Sequence, residues 1–191
     1  AEIANGRKAI YASAYQCSFP EGVEKFKKVI KDRNMNAIVI DMKDDYGFLR
    51  YDTHDPLVLK KCSTSSYAIK DLNNFINEFK KENIYLIARI PVFKDSELSK
   101  YQKGKYAIYD KVNKKNWVGI KNIEDVYDAS GKKTGSTTEY YDEYWVDPYS
   151  EEVWEYNVEI AKELISRGFD EIQFDYIRFP TDGWNLSNAQ Y

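Results

Sequence analysis

Residues 171–180 read EIQFDYIRFP, an alternation of apolar and polar side chains in which Asp175 stands between Phe174 and Tyr176, with Arg178 close behind. A carboxylate in so apolar a stretch is costly unless a cation or several hydrogen-bond donors face it. Held ionised, it can serve as a base or a nucleophile; paired with Arg89 or Arg178, it can equally be a structural ion pair. A second acidic group, Asp41, Asp44 and Asp45 with Lys43 among them, closes the run NAIVIDMKDD, and Arg89 and Lys94 lie in IARIPVFK. The three aspartates offer oxygen ligands for a hard cation, but their spacing is not that of an EF-hand loop, and no metal is assigned. His54, the single histidine, sits in the polar turn DTHDP and has no HExxH partner, which argues against zinc. No GxSxG elbow is present and Cys17 has no evident histidine partner, so a serine or cysteine nucleophile is poorly supported.

These groups must be positioned by the elements that carry them. AIYASAY (9–15), NAIVIDMK (36–43), IYLIARIPVF (84–93) and residues 171–179 read as strands. The second is a continuous apolar run, as expected of a strand covered on both faces. Helices are predicted over 21–34 (Val23, Phe26, Val29, Ile30 on one face), 68–83 (Ile69, Leu72, Phe75, Ile76, Phe79) and 150–168 (Val153, Tyr156, Ile160, Leu164, Ile165). Ser150 is placed to cap the last of these, Glu151 and Glu152 to favour its dipole, and Gly168 to end it. Successive strand–helix units imply an α/β fold with a mainly parallel sheet. In such sheets ligands bind at the carboxyl ends of the strands, where Tyr15, Asp41, Arg89 and Asp175 would converge. Residues 44–67 are expected to form a small hairpin excursion, and 95–147 a long loop insertion with turn signals at Asp128–Gly131 and Gly135.

The chain has 191 residues, 28 basic and 31 acidic, a balance that gives no reason to expect a nucleic-acid partner. No apolar run is long enough to span a bilayer, and GxGxxG and GxxxxGK[ST] fingerprints are absent, so no nucleotide cofactor is implied. Aromatic residues make up 16% of the chain, a content that suits sugar surfaces and ordinary cores alike. The two cysteines, Cys17 and Cys62, do not define a disulfide framework. The opening AEIANGRKAIYAS has no apolar core of an export signal, as in a chain that begins after a removed signal or in a cytosolic protein.

KAIYASAY, NAIVIDMKDDYG, YLIARIPVFKD and WVDPYSEEVWEYNVEIAKELISRGFDEIQFDYIRFPTDG together resemble a glycoside-hydrolase family of bacterial proteins catalogued as a domain of unknown function. That resemblance covers most of residues 7–184 and implies a (β/α)8 barrel of TIM type. The length implies a truncated or partial barrel, because a full one needs about 250 residues. A broader likeness is to α-amylase-like glycosidases. It lays Gly168, Asp170 and Asp175 on that group's glycine, first aspartate and nucleophile, and departs from it at Gln173, where those enzymes have arginine. The resemblance implies a glycosidase for a polysaccharide or oligosaccharide, needing two carboxyl groups about the scissile bond. Asp175 is the expected nucleophile or base, Asp41 and Asp147 the candidates for the second carboxylate. Arg89 and Arg178 would keep Asp175 ionised; Lys43, Tyr11, Tyr176 and Trp117 would contact sugar. No cofactor is expected. The resemblance also implies export, to the extracellular space or cell envelope. An open partial barrel would tend to self-associate. Two other readings stand beside this one: a non-catalytic carbohydrate-binding or cell-envelope module, and a cation-dependent hydrolase built on Asp41, Asp44 and Asp45.

Overall fold

A computed structural model describes residues 4–191, apart from the side chains of Tyr67 and Ala68. Ala1–Ile3, the start of the segment read for an export signal, lie outside the described residues. In chain order come β1 (Ala9–Ala12), α1 (Ala14–Cys17), α2 (Pro20–Asp32), β2 (Ala37–Asp41), β3 (Phe48–Tyr51), α3 (Pro56–Leu59) and β4 (Ser63–Ile69). They are followed by α4 (Leu72–Lys80), β5 (Tyr85–Pro91), α5 (Ser96–Lys100), β6 (Tyr109–Asp110) and β7 (Lys115–Asn116). The chain continues through β8 (Val118–Tyr127), β9 (Lys133–Tyr144), α6 (Glu151–Arg167), β10 (Glu171–Asp175) and β11 (Ala189–Gln190).

The main sheet is parallel, in the order β1-β2-β5-β10, and is not closed. Its register pairs Ala12 with Ile40, Asp41 with Arg89, and Arg89 with Gln173. Because side chains alternate along a strand, one face carries Ile38, Ile40, Leu86, Ala88 and Ile90. These pack into the main core with Phe26 and Ile30 of α2, Phe75, Ile76 and Phe79 of α4, and Val153, Tyr156, Ile160 and Leu164 of α6. Each such valine, leucine, isoleucine or phenylalanine side chain, taken from water into the core, contributes about 1.5–3 kcal/mol. The opposite face carries Tyr11, Val39, Ile87 and, at the carboxyl end, Asp41, Arg89 and Asp175; Ala37, Tyr85 and Ile87 form a small separate cluster there. The predicted order of strands and helices is thus present, and the predicted parallel sheet with it.

Boundaries differ where local chemistry overrides the pattern. Strand 9–15 ends at Ala12, because Ser13 and Gln16 form a capping box that starts α1. The expected helix 68–83 begins only at Leu72, capped by Asp71 accepting from Asn74 N–H, and Ile69 belongs to β4. The excursion 44–67 is not a hairpin: β3 and β4 pair in parallel, and α3 between them is capped by Asp55. The insertion 95–147 is largely ordered. Within it, β8 and β9 form a long antiparallel ribbon, while β6 and β7 make a small sheet with β11 from near the chain's end. Helix α6 matches its prediction closely and ends at Gly168, whose φ of +120° suits glycine, though Ser150 makes no side-chain cap bond. Both cysteines are free thiols. Among the described residues no helix is long and apolar enough to cross a membrane.

Candidate active site

At the carboxyl end of the sheet one guanidinium gathers three carboxylates. Arg89 of β5 donates from Nη1 to Asp41 Oδ1 (2.7 Å), from Nε to Asp175 Oδ2 (2.8 Å) and from Nη2 to Asp45 Oδ1 (3.0 Å). The first two contacts follow from the fold. Asp41 is the register partner of Arg89 on one side, and Asp175 lies two residues beyond its partner Gln173 on the other, on the same face. Tyr11 of β1 completes the row by donating its hydroxyl to Asp41 Oδ2. Burial first, and the bond to Asp41 next, push the Tyr11 phenol well above its ordinary range, so it stays a donor.

Asp175 receives a second bond, from the backbone N–H of Tyr176 (2.7 Å). Partial burial works against its charge. The Arg89 bond, the Tyr176 N–H and the charges of Arg89 and Arg178 outweigh it and hold the carboxyl below its ordinary value. Tyr176 has a φ of +50°, left-handed backbone that bulky residues rarely adopt, and this ends β10 short of the predicted 179. The kinked segment is held to the end of β5 by Val92 N–H to Asp175 O and Phe93 N–H to Tyr176 O. It brings the Tyr176 ring edge-on to Trp145, with Lys94, Arg178 and Arg89 near its face at 4.9, 5.7 and 5.8 Å. Lys94 itself pairs with Glu143 at 2.9 Å.

The sequence-predicted residues divide. Asp41, Arg89, Asp175 and Tyr11 meet directly, and Tyr176 and Arg178 border them. Asp147 is not joined to the cluster: its carboxylate accepts the Tyr149 N–H (2.9 Å) in the turn before α6. Lys43 and Trp117 present no surface to a sugar. Lys43 is fully buried, paired at 2.6 Å with the equally buried Asp95 and donating to Asn157 Oδ1 of α6 at 2.9 Å. Trp117 is buried against Ile108 and Trp145, its Nε1 donating to Asn185 O. The three aspartates read as possible cation ligands are instead drawn onto arginines, Asp44 onto Arg50 at 3.2 Å. Among the described residues no three of His, Cys, Asp and Glu converge as a metal-binding group. Sequence reading left Glu143 and Trp145 out of the site and offered Asp45 as a cation ligand, not as a partner of Arg89. Asp45 had a signal, its place at a strand's carboxyl end, but Glu143 and Trp145 lie in the insertion, where no period points to them.

A cavity of about 240 Å³ beside the cluster is lined by Ser13, Asp41, Asp44, Asp45, Tyr46 and Arg50. A larger depression of about 780 Å³ lies around His54, Asn73, Glu159, Glu163 and Arg167. Its most buried carboxylate, Glu163, is taken up by Tyr51 and the His54 N–H, so the chemistry favours the smaller cavity.

The chain is similar over 95% of its length, at 30% identity and a TM-score of 0.72, to a hypothetical protein from Ruminiclostridium thermocellum, and spans 80% of that chain. It is similar in fold, at 14% identity and a TM-score of 0.55, to a chitobiase from Flavobacterium johnsoniae. The same identity and score relate it to an alpha-L-fucosidase from Paenibacillus thiaminolyticus; it spans 23% of each of these two larger chains. No curated protein matches it. Residues 9–191 match the DUF4015 family, described as "Putative glycosyl hydrolase domain", and the chain belongs to that family.

Proposed function

We propose that the domain is a glycosidase of (β/α)8 type, carrying part of the barrel, that cleaves a polysaccharide or oligosaccharide with Asp175 as nucleophile or base. The observation that carries this is the ionised Asp175 carboxylate held at the strand ends by Arg89 Nε and the Tyr176 N–H. Gln173, which breaks the amylase-like pattern, is the register partner of Arg89, so the guanidinium reaches the carboxylate from the neighbouring strand. Asp41 is the second carboxylate of this reading. The fold likeness to glycosidases supports the barrel, and a polysaccharide substrate is in keeping with a protein outside the cell or in its envelope. Asp175→Asn in the full-length protein should abolish cleavage of bacterial envelope polysaccharides or α-glucans while leaving the unfolding midpoint nearly unchanged. Undiminished turnover by that variant would remove Asp175 from the reaction.

One observation favours the alternative, a carbohydrate-binding module without catalysis. Asp41 and Asp175 share one guanidinium, which leaves neither as an evident proton donor. Binding of a glycan by the full-length protein with no cleavage of it would select that reading.

A further inference from the structure

The cations at this rim are satisfied by carboxylates, with one exception. Arg89 holds Asp41, Asp45 and Asp175; Lys94 holds Glu143; Arg50 holds Asp44; Lys43 holds Asp95. Arg178 is exposed, and among the described residues no carboxylate lies within ion-pair distance of it. Its Nη1 donates to Phe179 O (3.0 Å) and Thr181 Oγ1 (3.2 Å), and its guanidinium carbon lies 5.0 Å from the centre of the Trp145 ring and 5.7 Å from that of Tyr176. Asp182, the next carboxylate along the chain, accepts from Thr181 Oγ1 instead. The guanidinium is thus fixed on one edge and against two rings, while the opposite edge, Nε and Nη2, makes no hydrogen bond to the described residues. That edge is the fork which matches a carboxylate with two parallel bonds. Arg178 follows Asp175 by three residues, and its charge favours the ionised form of that carboxyl.

We infer that Arg178 is a specificity-determining residue that binds the carboxylate of a uronic acid, so that the substrate is an acidic glycan. The inference rests on the proposed glycosidase reading for the place of the sugar, and its test reads binding alone. Preorganisation is the physical argument: an arginine whose backbone-facing edge is tied down and whose face is stacked loses little freedom when the remaining fork closes on two oxygens. A neutral sugar offers that fork hydroxyl oxygens alone, without the charge-assisted pair of parallel bonds.

The test is calorimetric titration of the full-length protein, and of Arg178→Gln, with glucuronate and galacturonate trisaccharides, each beside its carboxyl-reduced counterpart. At least one acidic trisaccharide should bind about ten-fold more tightly than its reduced form, the worth of one charge-assisted pair. Arg178→Gln should remove that preference, weakening the acidic form by about ten-fold more than the reduced form. Arg178→Lys, which retains the charge without the fork, should recover only part of it and serves where the glutamine variant fails to fold. Absence of binding by both acidic trisaccharides overturns the inference, as does equal affinity for acidic and reduced forms. So does an equal loss for both forms in Arg178→Gln, which would mark Arg178 as a loop anchor. If Asp175→Asn leaves cleavage intact, the catalytic reading falls while an acid preference lost with Arg178 still stands.

Discussion

Replacing Arg89 by methionine keeps an unbranched apolar stem in place and deletes the guanidinium that three aspartates share. The Arg89 side chain is 11% exposed and that of Asp41 10%, so this pair is the nearest to a buried one; Asp45 and Asp175 are about 40% exposed. Removing one partner of a buried pair costs about 3–5 kcal/mol, whereas exposed pairs contribute about 0–1 kcal/mol each. Asp41 keeps the Tyr11 hydroxyl, which softens its loss. The expected destabilisation at neutral pH is therefore about 3 kcal/mol. Its pH dependence has a definite sign. The carboxyl of Asp175 is depressed in the folded protein, so its pairing stabilises fully above the unfolded value of about 3.9 and is lost as pH falls through the lower folded value. In the variant the facing carboxylates repel until they take up protons. The gap between the two proteins should therefore shrink on acidification. Urea unfolding at about pH 7 and about pH 3 measures it. A penalty below about 1 kcal/mol at neutrality, or one of the same size at both pH values, would refute the hub as the organising interaction.

Other substitutions test the parts that support the rim. Lys43→Met should cost about 3 kcal/mol or more, because it strands Asp95 as a buried charge; adding Asp95→Leu should restore most of that in a double-mutant cycle by urea unfolding. Gly22→Ala should lower the melting temperature even though alanine favours a helix by about 1 kcal/mol, because the new Cβ would lie 1.7 Å from the Gln16 carbonyl oxygen. Gly47→Ala should also melt lower, its Cβ falling 1.9 Å from Asp95 Oδ1 at a φ of +94°; a melting point equal to the parent's would show that the Asp95 loop can yield.

The parts of this protein that can be read from its sequence are those with a period. The apolar runs at Ala37–Asp41 and Tyr85–Pro91 and the stripe on α6 declare the parallel sheet and its helices. The meeting of Asp41, Arg89 and Asp175 follows from strand direction alone. What escapes is whatever depends on distant partners. Lys43 looks like a rim cation until Asn157, from a helix 114 residues later in the chain, closes over it. Trp117 looks like a sugar platform until Asn185 and Trp145 enclose it. The parallel pairing of β3 with β4 is hidden because a one-turn helix, too short to show a repeat, joins them. Tyr176 gives no warning that it ends the strand: nothing in a tyrosine announces left-handed backbone.

The β8–β9 ribbon is a different kind of element from the sheet that carries Arg89. Residues 123–140 are exposed throughout, and a two-stranded ladder without a third layer is marginal by itself. Its outer rungs should open and reclose many times for each global unfolding event, and its amide protons should exchange with deuterium long before those of β2 and β5. Its tip, where Asp128 and Lys132 close a tight bend, is accordingly a place to thread a fluorophore or an affinity tag into the polypeptide without disturbing the parallel strands.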